Sequence, residues 1–191
     1  MKINYSFFVF LIFLFTKTTA QNIKELINQT NLDNLTLVVN ELSGEIPTIV
    51  SGNTVTITNR VSNSNNNIAA DYIKEKLSGF GLDITDQVYT PGPNGGRNIV
   101  ATQTGDTNPN DIYIVSAHYD SVTNFGADDN ASGTAAIIEL ARILSQYCTE
   151  NTIIYALWDQ EETGLNGSAY YAQQAKLNGD NILGNFNIDM M

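Results

Sequence analysis

The chain has 191 residues, 42% hydrophobic and 15% charged, which supplies a core for one domain of ordinary size and excludes wholesale disorder. Its formal net charge of -11 disfavours binding to a polyanion such as nucleic acid. A single cysteine, Cys148, excludes an intrachain disulfide and a thiolate zinc cluster.

Residues 1–20 read as a signal peptide. Lys2 provides the charged start, Phe7–Phe15 is an apolar run too short to span a bilayer, and Thr18 and Ala20 are the small residues before a cleavage point after Ala20. Cleavage removes Lys2 and Lys17 and no acidic residue, leaving 7 basic against 20 acidic residues, a net charge of -13. A secreted protein, extracellular or periplasmic and without stable membrane insertion, is the expectation. Residues 21–65 read as an N-terminal segment of helix and loop. Ile23, Leu26 and Ile27, then Leu35, Leu37 and Val38, have helical spacing. Ser43–Asn67 is rich in Gly, Asn, Ser and Thr, with one alternating run at Thr54–Thr58. Two sequons, Asn28-Gln29-Thr30 and Asn34-Leu35-Thr36, matter only in a eukaryotic host.

The main domain is expected over residues 66–191. Its first helix is predicted at 67–78, with Ala69, Tyr72, Ile73 and Leu77 on one face and Gly79 and Gly81 as stop signals. Leu82, Ile84 and Val88 alternate as in a half-buried strand, Pro91–Gly96 is a turn, and Asn98–Gln103 a second strand. Strand Asp111–Ala117, helix Ser132–Tyr147, strand Thr152–Trp158, helix Ser168–Leu177 and strand Ile182–Ile188 follow. This alternation predicts an α/β fold, a three-layer α/β/α sandwich around a mostly parallel central sheet. Cys148, near the end of the amphipathic helix, is expected to pack in the core.

Sites on open α/β sheets form beyond the carboxyl ends of parallel strands. Here one such strand runs into His118-Tyr119-Asp120, the next into Asp159-Gln160-Glu161-Glu162, and the last into Asp189. The loop Gly126–Asn130 lies on the same edge and carries Asp128 and Asp129. Carboxylates gathered in one place resist ionisation unless a cation offsets them. With an imidazole among them, the donor set suits Zn²⁺ better than Ca²⁺ or Mg²⁺. His118 is the only histidine, and Asp120 stands where it could orient the imidazole. Of the Glu161–Glu162 pair, one residue could hold metal and the other move protons. Either Asp128 or Asn130 could cap the following helix, leaving the other carboxylate free.

Four segments together, Ser116–Ser121, Gly126–Gly133, Glu161–Ser168 and Asn187–Met190, resemble the secreted di-zinc aminopeptidases, a family that includes bacterial leucyl aminopeptidases and has glutamate carboxypeptidase and glutaminyl cyclase as relatives. The resemblance covers roughly residues 66–191. It implies that His118, Asp129, Glu162 and Asp189 are metal ligands, with Asp129 bridging two Zn²⁺ ions. It allows a cis peptide bond between Asp129 and Asn130. Glu161 would be the general base acting on a metal-bridged water, and Asp120 the residue that orients His118. The implied activity is hydrolysis of the N-terminal residue of peptides or small proteins with a free amino terminus. Family members also carry further strands, a helix and a second histidine ligand after the equivalent of Asp189. The expectation is therefore a C-terminally incomplete zinc-exopeptidase fold, with the site of His118, Asp129 and Asp189 complete and that of Asp129 and Glu162 one ligand short. A glutaminyl-cyclase-like acyltransferase and a non-catalytic member of the same fold are the alternatives.

Overall fold

The computed structural model describes residues 22–61, 64–90 and 95–191. The expected signal peptide and the Pro91–Asn94 part of the expected turn lie outside the described residues. In chain order the elements are α1 (Ile23–Ile27), α2 (Leu32–Leu42), β1 (Thr48–Val50), β2 (Asn53–Val55), α3 (Ser64–Ser78), β3 (Asp83–Tyr89), β4 (Gly96–Gln103), β5 (Asn108–His118), α4 (Gly133–Leu144), β6 (Asn151–Trp158), α5 (Asn166–Asn178) and β7 (Asn181–Asn187). A π-helical turn, Ala127–Ser132, leads into α4.

The central sheet has the order β3-β4-β6-β5-β7. Strand β5 pairs in parallel with both β6 and β7, because each of the crossovers β5-α4-β6 and β6-α5-β7 returns the chain to the same edge. The β3–β4 and β4–β6 pairs are antiparallel, so the sheet is mixed. Strands β3 and β4 are joined only by the short connection after Tyr89, which suits antiparallel neighbours and is too short for a helical crossover.

Alternate residues of the central strands serve two different layers. Ile99, Ala101, Ala117, Tyr155 and Leu157 face the larger core, with Ala69 and Ile73 of α3 and Ile137 and Ala141 of α4. Val100, Ile114, Ile154, Ala156 and Trp158 face the other side, where Tyr171 of α5 tilts against the Trp158 ring. This period of two against both helical layers is the three-layer sandwich that the alternation predicts. Val38, Leu42, Val50 and Ile57 enter the larger core as well, so the N-terminal segment is built into the same core as the strands. Helix α2 is anchored there at its N-terminal end. Asn31 caps it by accepting the Asp33 N–H (2.8 Å), and the Asn31 N–H itself donates to buried Glu139 of α4 (2.8 Å).

Cys148 departs from expectation. Helix α4 ends at Leu144, three residues earlier than the predicted Tyr147, so Cys148 falls in the following turn and is exposed rather than in the core. The last strand agrees with expectation: β7 lies within one residue of the expected Ile182–Ile188 at each end, among the described residues it pairs only with β5, and Leu183 and Phe186 are exposed on it.

Candidate metal centre

The connections from β5 and β6 leave the sheet toward opposite layers. The crevice between their carboxyl ends, where His118 pairs in register with Trp158, is a topological switch point. His118 is the last residue of β5 and is 2% exposed. Its Nε2 stands 3.2 Å from Asp129 Oδ1 and 3.5 Å from Asp189 Oδ1. Its Nδ1 is 3.3 Å from Asp120 Oδ1, within ion-pair range but not aligned as a hydrogen bond. His118, Asp129 and Asp189 each offer a ligand atom within 4.8 Å of the others, and so do His118, Glu161 and Glu162. All six residues singled out in the sequence thus meet around one imidazole.

Asp120 does more than face the histidine. It is buried, and its two carboxylate oxygens accept the backbone N–H groups of Glu161 (3.0 Å) and Glu162 (3.2 Å). The end of β5 therefore holds the turn after β6. A second buried carboxylate, Asp159, holds the same turn from behind. Its Oδ1 accepts Gln160 N–H (2.8 Å) and Asn66 Nδ2 (2.6 Å), and its Oδ2 accepts Arg97 N–H (2.8 Å). These bonds stabilise Gln160 in the left-handed region (φ 56°), an uncommon place for a residue with a side chain, so that Glu161 and Glu162 turn back toward His118.

The turn bearing Asp129 is organised by Asn130. Asp129 has non-helical dihedrals (φ -102°, ψ 99°), and the Asp129–Asn130 peptide is cis. Asn130 is buried; its Oδ1 accepts Gly133 N–H (2.8 Å) at the start of α4, and Met190 N–H (3.3 Å). Its Nδ2 donates to Ile188 O (3.0 Å). One side chain thus caps the helix and ties Asp189 to the turn of Asp129. Asn130, not the exposed Asp128, takes the capping role left open between them. Gly133 is a close approach: a Cβ there would come within 2.4 Å of Asn130 Oδ1 and 2.6 Å of Ile188 O.

The electrostatics favour a cation. Burial depresses the His118 pKa, but the Asp120 carboxylate beside it and the charges of Glu161 and Asp189 outweigh burial and lift it to about 9. Burial and the charges of Asp129, Asp120 and Glu161 push the Glu162 carboxyl up, with His118 opposing. Glu162 Oε1 is buried without a hydrogen-bond partner. A buried carboxylate oxygen is costly to leave unpaired, and a divalent cation removes both that cost and the mutual repulsion. An imidazole nitrogen with carboxylates around it is a zinc donor set, so the residues present fit that metal.

Two groups contribute more than the sequence shows. Asn130 is visible there as a candidate cap of α4, but not as the tie to Ile188 and Met190. Arg60 gives no signal in a run of Asn, Ser and Thr, yet is fully buried next to the loop that leads to Asp129.

Comparison with known proteins agrees with this construction. The profile described as "Peptidase family M28" matches residues 98–191. A "Probable zinc metalloprotease" of Pyrenophora teres f. teres is 33% identical over 196 aligned positions, covering 87% of this chain and 41% of that protein. The chain thus spans about two fifths of the length of that relative. Among solved structures, a leucine aminopeptidase precursor from Bacteroides thetaiotaomicron superposes with a TM-score of 0.69 at 22% identity, over 85% of this chain and 63% of that one. Glutaminyl cyclase from Porphyromonas gingivalis does so with a TM-score of 0.69 at 21% identity, over 85% and 60%. At these identities the two structures speak to the fold alone. The switch-point cluster lies within the segment, residues 98–191, that matches peptidase family M28.

Proposed function

We propose that this chain carries the catalytic metal site of a secreted zinc aminopeptidase that hydrolyses the N-terminal residue of peptides or small proteins. The observation that carries the reading is the approach of His118 Nε2 to the Asp129 and Asp189 carboxylates, with Glu161 and Glu162 gathered on the same imidazole. His118, Asp129 and Asp189 would hold one ion; Asp129 and Glu162 would contribute to a second. When bound, zinc supplies Lewis-acid polarisation of the scissile carbonyl and acidifies a water. Glu161, part-buried and held at its backbone by Asp120, would accept the proton of the attacking water and return it to the leaving amine. Asp120 would fix the orientation of His118. Asp129 and Asp189 are half exposed (46% and 45%), so the mouth of the site is acidic and open, which suits the ammonium of a free amino terminus. For location, the sequence of residues 1–20 is the support. Among the described residues, no helix is long and apolar enough to cross a membrane.

The test is hydrolysis of aminoacyl p-nitroanilides beside cyclisation of a glutaminyl peptide, with zinc added. Release of the first residue, lost on Glu161→Gln while zinc stays bound, is the expected result. Cyclisation without hydrolysis would transfer the assignment to the acyltransferase alternative. Neither reaction, with Glu161→Gln indistinguishable from the parent, would sink the enzymatic reading.

A further inference from the structure

Arg60 is fully buried, and among the described residues no carboxylate stands within ion-pair distance of its guanidinium. Its donors go instead to backbone carbonyls. Nε donates to Tyr119 O (2.6 Å), one terminal nitrogen to Leu42 O (2.6 Å) and Phe125 O (2.8 Å), and the other to Gly126 O (2.7 Å). The backbone around it continues the attachment. Arg60 N–H donates to Ser121 Oγ (3.0 Å), Ser121 N–H to Arg60 O (3.3 Å) and Phe125 N–H to Thr58 O (2.8 Å), and Asn59 and Asn124 form an antiparallel bridge. Residues 58–60 thus form a strap along residues 121–125, with the guanidinium as its buckle. Gly126 O also accepts Ala131 N–H (3.1 Å), so the carbonyl that Arg60 grips closes the turn containing Asp129.

We propose that Arg60, which lies outside the family-matched segment 98–191, is a positioning residue of the metal centre: it sets the loop Tyr119–Gly126 and thereby the Asp129 carboxylate relative to His118. The inference rests on the metal-site reading given above. Chemistry explains why arginine suits the place. A guanidinium presents five N–H donors in a planar fork, enough for carbonyls arriving from α2, from the end of β5 and from the loop. A lysine ammonium keeps the charge but has three donors on one nitrogen and cannot span the same carbonyls. The charge is also felt at the site. Burial lowers the Arg60 pKa to about 10, and the nearby Asp120 and Asp129 oppose that fall. A cation fixed behind these two carboxylates reduces their repulsion before any metal arrives.

The test uses the full chain and zinc alone, with affinity from chelator competition and thermal unfolding with zinc or with EDTA. The variants are His118→Ala, Arg60→Lys, Ser121→Ala and Glu139→Gln. Glu139 is a buried anchor between α2 and α4, away from the loop, and controls for general destabilisation. Arg60→Lys is expected to weaken zinc binding by about 10-fold or more and to shrink the zinc-induced rise in Tm. Ser121→Ala, which loosens the strap without touching the buried charge, should do the same to a smaller degree. Glu139→Gln should lower Tm equally with zinc and EDTA and leave affinity unchanged. If Arg60→Lys does not fold, Ser121→Ala decides. Zinc affinity within twofold of the parent in the folded variants overturns the proposal, as does an equal loss in Glu139→Gln. Zinc binding that is indifferent to His118→Ala overturns the metal-site reading, and this inference falls with it.

Discussion

Replacing Asp159 by asparagine isolates one of the anchors behind the site. The carboxylate accepts three hydrogen bonds, two on Oδ1 from Gln160 N–H and Asn66 Nδ2 and one on Oδ2 from Arg97 N–H, and the residue is 2% exposed. An amide has one oxygen. If it replaces Oδ1, its NH₂ faces the Arg97 N–H; if it replaces Oδ2, its NH₂ faces the Gln160 N–H. Asn66 could adapt by turning its own amide, since its Oδ1 is buried without a partner, but a backbone N–H cannot. One buried backbone donor therefore loses its partner in either orientation, at a cost of about 1–3 kcal/mol. Burial pushes the Asp159 carboxyl up, with hydrogen bonds from Asn66 and Arg97 opposing, so removing the charge returns part of that cost. The net expectation is a loss of about 1–2 kcal/mol, or a fall in Tm of roughly 2–8 °C for a chain of this size. The measurement is thermal unfolding of D159N in EDTA, followed by circular dichroism. A Tm equal to or above that of the parent would mean that desolvation of the charge outweighs its three hydrogen bonds, and the anchoring argument would be wrong.

Further outcomes follow from other groups. Glu162→Gln should raise Tm in EDTA, because it removes a carboxylate disfavoured by burial and by Asp129, Asp120 and Glu161, while zinc affinity falls; a lower Tm in EDTA would contradict this. Asp86 is held below the ordinary carboxylate range by hydrogen bonding to Arg97, with burial opposing and Lys74 assisting. Its contribution is present above the unfolded pKa and is lost as pH falls through the lower folded value, so the Tm gap between parent and Asp86→Asn should close below about pH 4. Gly167→Ala would set a Cβ 2.3 Å from both Asn98 Oδ1 and Asp159 O, and the carbonyl cannot move without shifting the Glu161 turn. A loss of about 1–3 kcal/mol in urea unfolding is expected.

The parallel half of the fold was readable because β6 carries a continuous apolar run, Ile153–Trp158, and β5 ends in a mostly apolar stretch, Ile112–Ala117, each followed at once by polar residues. The same boundaries located His118, Asp159 and Glu161 at one edge before any contact was known. Asp189 was readable from the end of the last predicted strand alone; in the structure Ile188 N–H donates to Ser116 O (2.7 Å) and carries the β7 direction past its last paired residue. The antiparallel β4–β6 pairing was not readable. Strands carry their face pattern in sequence but not their partner, and β6 inserts between two strands that are consecutive in the chain. Cys148 was misplaced because Leu144 and Cys148 have helical spacing, whereas the chain turns at Ser145, whose N–H still closes on Ala141 O. Arg60 was beyond reach for a different reason. Its partners are carbonyls drawn from residues 42, 119, 125 and 126, which every residue possesses and only the tertiary fold collects.

That contrast has a physical basis in how the site divides its labour. Two of the groups that would meet metal and substrate, Asp129 and Asp189, are nearly half exposed, while His118 is buried, and all three are the chemistry-bearing types that a sequence displays openly. The groups that fix them, Arg60, Asp120, Asn130 and Asp159, are all buried and act chiefly through backbone N–H and C=O groups. Burial suits the second set because a hydrogen bond away from water holds its geometry against competition, whereas Asp129 and Asp189 stay open to solvent-borne partners. Asp120 belongs to both: one carboxylate faces His118 and holds the backbone of Glu161 and Glu162, so the ends of β5 and β6 cannot shift independently. Segments some forty residues apart in the chain are thereby one mechanical unit at the switch point of the sheet. A ligand substitution is then read chiefly in metal affinity, and an anchor substitution in the distances between ligands that are all still present.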